Sequence, residues 1–327
     1  MLIKLRENFD RALDITSKKG LPGLTNAVLV KTQKHSLPEK VYGNPDFIQI
    51  ETSTACNLKC VMCPLNFPKE SKEELFPHLS KPSFLSFEKF KKILEVFPTI
   101  TDVRLSGIGE PLMNPDLLKM VSYCTEKKLN TQFNTNATFL TEQKSVEVIE
   151  SGLSQLIISF DGYSKETFEN IRIGANYEKV LNNISNFIKT RKKLNSNSPG
   201  LVVTAVRMKR NQHEMDKLEK KFLDLGVDNV IIKDVVSPST GELTKERTYT
   251  KEQLTECKCR WPWSAVYINL EGNVSPCCYA PHVLLGNVFE EGKEIWNNKK
   301  YTEFRKKMVN GTSSICNNCP EYGVANF

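Results

Sequence analysis

Short apolar runs alternate with longer amphipathic stretches along most of the chain beyond Val41. The short runs are rich in β-branched residues and Phe, which favour strands, and the stretches between them have the apolar spacing of helices. This alternation is typical of βα units built around a parallel sheet. Six strands are predicted, at residues 47–51, 102–106, 130–134, 155–159, 201–206 and 229–233.

Helices are predicted at 87–97, 115–127, 141–151, 177–194 and 212–225. Asn114 and Thr141 stand where N-caps are expected, and Gly226 stands where a left-handed residue would end the last helix. Six βα units fit a partial (β/α)6 TIM-like barrel or an open doubly wound sheet, which periodicity alone does not separate. Residues 1–45 precede this pattern and are assigned to an N-terminal helical extension.

The βα pattern ends in a turn-rich segment around 237–241, so we predict a barrel over 46–236 and a linker over 237–256. A small second module is predicted over 257–327. Its expected elements are a hairpin, with strands 265–269 and 273–275 around Glu271 and Gly272, and one amphipathic helix over 295–309. The fold class is therefore α/β with an appended hairpin-plus-helix domain.

Composition and charge narrow the class of protein. A chain of 327 residues with 39% hydrophobic and 25% charged residues is long enough for a barrel with an appended module. The net charge of +7 comes from 45 basic and 38 acidic residues, and the basic ones mostly have helix-like spacing, which predicts solvated helix faces rather than specific nucleic-acid binding. No apolar window has the length of a signal or a membrane span, so a cytoplasmic protein with reduced thiols is expected.

Polar clusters follow the predicted strands, at 52–63, 107–110, 134–136, 159–162 and 233–237. The carboxyl ends of parallel strands form the edge where α/β enzymes build their sites. The chemistry is therefore expected at this edge of the sheet.

Cysteines supply the main chemical signal, because the chain has ten and most of them lie in two groups. Cys56, Cys60 and Cys63 lie on the loop after the first predicted strand, with Cys-x3-Cys-x2-Cys spacing. Three thiolates can hold an iron–sulfur cluster and leave one iron open for another ligand. A zinc site lacking its fourth ligand, or three structural thiols, are the alternatives.

This motif resembles the signature of the radical S-adenosylmethionine (SAM) superfamily, with Met62 in place of the usual aromatic residue. The resemblance implies a 4Fe–4S cluster that binds SAM and cleaves it reductively to a 5′-deoxyadenosyl radical, which abstracts a substrate hydrogen. It also implies an external electron donor such as flavodoxin or ferredoxin. The residues that match the family's SAM-binding segments are Met62, Gly107, Gly109, Glu110, Asn134, Asn136, Ser159, Asp161 and Arg172.

Particular roles follow from the resemblance. Glycines 107 and 109 are expected to let the backbone approach SAM, and Glu110 can pair with its methionyl ammonium group. Ser159 and Asp161 are suited to the ribose or the methionyl end, and Arg172 can pair with the SAM carboxylate. A surface arginine and plain turn residues are the alternatives for these positions.

A second group of cysteines lies in the C-terminal module: Cys259, Cys277, Cys316 and Cys319. Four thiolates alone favour zinc. The pattern resembles the shortened SPASM domain called Twitch, including that of 2-deoxy-scyllo-inosamine dehydrogenase and related carbohydrate-cluster enzymes, which implies one auxiliary 4Fe–4S cluster instead. Cys124 and Cys257 are expected outside both clusters.

The leading hypothesis is oxidation of a hydroxylated small molecule, such as a sugar or an aminocyclitol, with the auxiliary cluster as electron acceptor. Arg207, Lys233 and Asp234 lie at the mouths of the last two strands and are the candidate bases or substrate anchors. The four histidines are isolated in sequence, and His78, in a Pro-rich loop, is expected to be exposed.

Three other functions stay open. Cys278 could donate a hydrogen atom to a substrate radical, which would make the enzyme an epimerase, or be a packed thiol. SPASM relatives that modify peptides suggest a peptide substrate. A noncatalytic interaction protein is the third possibility, if both cysteine groups hold zinc.

Overall fold

The computed structural model describes residues 2–235, 243, 245–248, 259–313, 316 and 319, and it describes side chains from residue 12 onward. Its strands are β1 (Phe47–Ile50), β2 (Asp102–Arg104), β3 (Asn130–Thr135), β4 (Gln155–Ser159), β5 (Gly200–Arg207), β6 (Asn229–Asp234), β7 (Ala265–Ile268), β8 (Asn273–Ser275) and β9 (Gly286–Asn287). Its helices are α1 (Leu2–Ser36), α2 (Lys69–Leu75), α3 (Phe87–Val96), α4 (Leu117–Glu126), α5 (Glu142–Glu150), α6 (Lys165–Ile171), α7 (Tyr177–Lys193), α8 (Met215–Leu225), α9 (Val288–Glu291) and α10 (Lys299–Val309).

All nine strands form one sheet, in the order β6-β5-β4-β3-β2-β1-β7-β8-β9. Strands β1 to β6 pair in parallel with their neighbours in the chain, as expected for βα units. The predicted hairpin is present, but β7 also pairs in parallel with β1, from Phe47 opposite Ala265 to Ile50 opposite Ile268. The second module therefore continues the barrel sheet instead of standing apart from it.

The two faces of the sheet have different compositions. Side chains such as Ile48, Val103 and Phe133 belong to the main apolar core. Because side chains alternate along a strand, the residues between them lie on the opposite, inner face of the partial barrel. A row of polar residues crosses that face: Gln49, Arg104, Gln132 and Gln155 are register partners on four adjacent strands. We call this polar inner space the lumen.

The N-terminal extension is helical, as expected, and contacts both the barrel and the C-terminal region. Helix α1 is interrupted at Gly20, whose φ of 61° lies in the left-handed region. Farther along, Gln33 donates to the carbonyl oxygens of Gly43 and Trp263, and Lys18 donates to Asn130 at the start of β3. No described helix is long and apolar enough to cross a membrane.

Two local predictions need correction. The helix begins at Leu117, later than predicted, and Asn114 acts in the turn before it: its Oδ1 accepts from Asp116 N at 2.9 Å, and its amide donates to the carbonyl oxygens of Thr52 and Leu85. The helix predicted over 295–309 is two elements, a 3-10 helix at Gly292–Asn297 and then α10. The side chain of Asn298 accepts from Tyr301 N and so starts the second element. The Thr141 cap and the left-handed Gly226 are confirmed.

The C-terminal region is built around a buried arginine. Arg305 is fully buried, and its guanidinium lies over the rings of Trp296 and Tyr301 at 4.5 and 4.4 Å. It donates to the carbonyl oxygens of Pro262 and Trp296 at 2.7 and 2.8 Å. Burial lowers its pKa to about 10.

Candidate functional site

The first three cysteines lie on the loop that leaves the carboxyl end of β1. The amides of Lys59 and Val61 donate to the carbonyl oxygens of Ile173 and Ile171, which fixes this loop against the segment after β4. Cys56, Cys60 and Cys63 are free thiols. The structure thus brings the predicted cluster ligands to the expected edge of the sheet.

These thiols are partly or fully buried, and their charges interact. Burial raises the pKa of all three, and burial together with the charges of Cys60 and Cys56 raises that of Cys63 to about 12. Iron binds thiolates, so loading the loop would displace protons from these sulfurs. The amide of Leu58 donates to Cys56 Sγ at 3.4 Å, and Asn136 Nδ2 lies 3.9 Å from the same sulfur. Buried sulfurs that receive N–H groups fit an iron–sulfur cluster.

The glycine-rich loop after β2 packs tightly against the cysteine loop. A Cβ at Gly109 would lie 2.4 Å from the carbonyl oxygen of Ser53, and a Cβ at Gly107 would lie 2.3 Å from Glu51 Cγ. The amides of Gly109 and Glu110 donate to the carbonyl oxygens of Ser53 and Ala55. Both glycines are thus required for contact between the two loops, and their approach to SAM stays a prediction.

Glu110 joins the ends of two strands. Its oxygens accept from Thr135 Oγ1 at 2.7 Å, from Asn136 N at 2.8 Å and from Leu112 N at 3.1 Å. Burial raises its pKa. The residue lies beside the cysteine loop, as predicted, but its hydrogen bonds from the chain already hold both oxygens.

Asp161 and Arg172 form a buried ion pair with each other. Arg172 Nη2 lies 2.6 Å from Asp161 Oδ2, and Asp161 Oδ1 accepts from Val206 N at 2.6 Å. The sequence analysis assigned the two side chains separately to SAM, and their contact with SAM stays a prediction. Arg172 Nε is buried and has no hydrogen-bond partner in the described part of the chain, which leaves one donor for a bound anion.

The remaining predicted SAM contacts lie around the same space. Asn134 accepts from Ser106 Oγ, and Ser159 shares the inner face of the sheet with Thr204, its register partner. Met62 packs at the edge of a second apolar cluster, beside Ile108. Their contact with SAM stays a prediction.

The cysteines of the second group interact electrostatically with one another. Burial raises the pKa of Cys277 well above its usual value, and the charges of Cys278, Cys259 and Cys319 act in the same direction. Cys319 N donates to the carbonyl oxygen of Cys316 at 3.1 Å, so these two residues lie close together. Nearby thiols without disulfides fit a thiolate-bound cluster. No three His, Cys, Asp or Glu side chains in the described residues are arranged to hold a single metal ion, and Cys257 lies outside those residues.

The three candidate bases do not all lie on the same face of the sheet. Arg207 and Asp234 are register partners that follow the core-facing Ala205 and Ile232 by two residues, so they lie on the helix side and not in the lumen. They also pair with each other at 2.8 Å, and this pairing with Arg207 lowers the pKa of Asp234. The expectation that either serves as the base is therefore corrected. Lys233 lies on the lumen face.

The structure adds a buried polar group that the sequence analysis did not select. Glu51 follows β1, Tyr267 lies in β7, and His78 enters from the loop after the first cysteines. His78 was expected to be exposed, which is wrong: its side chain is 5% exposed, and its Nε2 lies 3.3 Å from Glu51 Oε2. The one available signal was a carboxylate directly after a buried strand.

The described residues also line a cavity of about 320 Å³ at the opposite edge of the sheet. It lies between α1 and the amino ends of the strands and is lined by residues such as Asp14, Asp46 and Asp102. No cysteine lines it. The site with the chemistry is therefore the carboxyl edge, where the cysteine loops lie.

Comparisons with known proteins identify both cysteine groups. A model described as the radical SAM superfamily matches residues 50–203, and a model of the SPASM iron–sulfur cluster-binding domain matches residues 257–320. The chain is a radical SAM enzyme with a SPASM domain. Its cofactors are SAM, the SAM-binding 4Fe–4S cluster and auxiliary iron–sulfur, and the noncatalytic zinc hypothesis is set aside.

The proteins that are similar to this radical SAM enzyme differ in their reactions. A tungsten-containing aldehyde ferredoxin oxidoreductase cofactor-modifying protein of Pyrococcus furiosus is 26% identical and covers 86% of this chain and 89% of its own. An S-adenosyl-L-methionine-dependent 2-deoxy-scyllo-inosamine dehydrogenase of Niallia circulans is 23% identical and covers 85% and 93%. The structure of Streptococcus suis SuiB bound to precursor peptide SuiA is 15% identical, with a TM-score of 0.66, and covers 91% of this chain and 75% of that chain. The likeness to SuiB supports the fold.

Proposed function

We propose that this radical SAM enzyme oxidises a hydroxyl group of a small polyhydroxylated molecule, of the sugar or aminocyclitol class. The observation that carries the proposal is the row of polar side chains on the inner face of the sheet, where Gln49, Arg104, Gln132 and Asn134 lie. Hydroxyl groups of a substrate can exchange their water contacts for hydrogen bonds with such side chains. The dehydrogenase relative supports the same substrate class.

The two metal sites supply the radical chemistry when loaded: the first, with SAM, provides the 5′-deoxyadenosyl radical, and the SPASM site accepts one electron. Oxidation would remove from the substrate a hydrogen atom at the carbinol carbon, a proton from the hydroxyl to a base of this chain and one further electron, which together would leave a carbonyl product. Residues of this chain contribute the fixed cysteine loop and the polar lumen. An external one-electron donor, flavodoxin or ferredoxin, reduces the first site.

Anaerobic reconstitution with deuterated 2-deoxy-scyllo-inosamine, the aminocyclitol probe, tests the proposal. The loaded protein should hold about eight iron and eight sulfide per chain. Deuterium at the carbinol carbon should move into 5′-deoxyadenosine, and mass spectrometry should detect a ketone. Cys56→Ala should abolish both signals. If a panel of sugars and cyclitols gives neither signal and a peptide substrate does, the proposal is refuted.

Epimerisation is the second candidate, because Cys278 lies close enough to the lumen for its charge to act on Tyr267. A thiol there could return a hydrogen atom to the other face of the substrate carbon. In deuterated water this reaction gives a product with solvent deuterium and no net oxidation. Cys278→Ala should abolish that product and spare a ketone, so the two reactions are separable in one experiment.

A further inference from the structure

Four polar atoms are buried together where β1 and β7 meet, within the described part of the chain: Gln49 Oε1, Glu51 Oε2, His78 Nε2 and Tyr267 Oη. Glu51 is fully buried and Tyr267 is 1% exposed. Glu51 Oε2 lies 3.3 Å from His78 Nε2 and also interacts with Tyr267, and none of the four atoms has a hydrogen-bond partner outside this group. Leaving a buried polar group such as Gln49 Oε1 unsatisfied costs about 1–3 kcal/mol. A buried polar cluster whose only contacts are internal indicates a site that a polar ligand completes.

Register places these side chains on the lumen face. Tyr267 is the register partner of Gln49, and Glu51 follows Gln49 by two residues on the same strand face. The other oxygen of Glu51 accepts from Ile108 N at 3.1 Å, within the glycine-rich loop. Burial raises the pKa of Tyr267, and the charges of Glu51 and Cys278 raise it further. The group therefore lies between the two cysteine sites.

His78 is held in this position by its neighbours in the chain. Phe76 and Leu79, on either side of it, are buried in the second apolar cluster with Ile171, Met208 and Val235. A T-shaped contact between Phe76 and His282, with ring centroids 6.5 Å apart, connects the same loop to the C-terminal region. Two apolar anchors thus fix the imidazole beside Glu51.

We propose that Glu51 and His78 are the acid–base pair that takes the proton of the substrate hydroxyl, and that Tyr267 donates a hydrogen bond to the same oxygen. This assignment rests on the proposed function and supplies its missing base. The carbon–hydrogen bond breaks first, the hydroxyl proton then passes to Glu51 or His78, and the electron leaves to the SPASM iron–sulfur acceptor. Loss of the base therefore blocks oxidation after hydrogen abstraction and not before it.

Binding of the aminocyclitol probe to SAM-loaded, unreduced enzyme, measured by calorimetry, is the first test. Glu51→Gln still accepts from Ile108 N but loses the charge, and it should weaken binding about tenfold or more. His78→Gln and Tyr267→Phe should each weaken it about threefold or more. Tyr123→Phe is the control, since Tyr123 lies in α4 and packs against the apolar core beside Phe87, and it should change nothing.

Turnover of the deuterated probe is the second test. At a saturating concentration of the probe, the Glu51→Gln enzyme should still transfer deuterium into 5′-deoxyadenosine, while its rate of ketone formation falls about tenfold or more. A purely structural role would lower both signals together, and that outcome overturns the assignment. Wild-type enzyme that does not bind the probe, or variants that bind and oxidise it like wild type, also overturn it. If the wild-type enzyme binds the probe in a way that depends on Glu51 but does not convert it, the proposed function is refuted. The polar binding site is then still supported.

Discussion

Replacement of Gly107 by alanine tests the contact between the glycine-rich loop and Glu51. The added Cβ would lie 2.3 Å from Glu51 Cγ and 2.5 Å from Glu51 Oε1. Carbon atoms in contact lie about 3.5–4.0 Å apart, so the carboxylate would have to move by more than an ångström. Glu51 is fully buried, so it has little room to move.

The cost has two parts. Overpacking a buried site costs about 1–3 kcal/mol, and displacing Glu51 also weakens its 3.1 Å bond from Ile108 N. Alanine also restricts the unfolded chain more than glycine does, and this offsets about 0.4–1 kcal/mol of the cost. Gly107→Ala should therefore lower the free energy of unfolding by about 1–3 kcal/mol.

Gly200→Ala is the matched control, because the nearest atom to its new Cβ, the carbonyl oxygen of Ser154, lies 3.7 Å away. It should be neutral or stabilise by up to about 1 kcal/mol. Urea unfolding of the cluster-free chains under reducing conditions, followed by circular dichroism and tryptophan fluorescence, measures both. Equal stability of the two variants would show that the tight contact at Gly107 is not there.

Three further predictions concern other side chains. Lys233→Ala should lower turnover of the accepted substrate more than Asp234→Asn, whose effect should stay within about threefold because Asp234 lies on the helix side; equal losses in steady-state assays would contradict that placement. Arg305→Lys should destabilise the fold by about 2–4 kcal/mol, since lysine cannot make the same forked hydrogen bonds, and an unchanged thermal midpoint would argue against it. Hydrogen bonding from Arg191 lowers the pKa of Asp228 in the folded protein. The pair therefore stabilises the fold at any pH above the pKa of Asp228 in the unfolded chain. This stabilisation is lost as pH falls through the pKa of Asp228 in the folded protein. Stability of Asp228→Asn should therefore depend less on pH between about 5 and 3, as acid titrations would report.

Strand positions could be predicted from the sequence because they depend on local patterns. β4 has the predicted bounds, Gln155–Ser159, since its apolar run stands between polar residues. The motif at Cys56, Cys60 and Cys63 is also a local pattern, so the sequence alone predicts the metal site. The prediction of one helix over 295–309 was wrong near its start, because a polar cap at Asn298 begins a new helix despite the continuous apolar spacing.

The side of a strand that a residue faces, and the pairing of distant strands, could not be predicted. Arg207 and Asp234 follow strands, as site residues often do, yet the one-residue alternation places them on the helix side. His78 looked like an exposed loop residue, because the two apolar anchors beside it become buried only when distant segments meet. The parallel pairing of β7 with β1 joins residues more than 200 positions apart, which no local pattern reports.

That pairing has a consequence for where the two groups of cysteines leave the sheet. The loop with the first three cysteines follows β1, and Cys277 follows the hairpin that begins at β7, the hydrogen-bonded neighbour of β1. Neighbouring strands are about 4.8 Å apart and cannot slide without breaking several backbone hydrogen bonds at once. The starting points of the two cysteine-bearing segments are therefore held at the spacing of one sheet, and their separation should not change as substrates bind and leave.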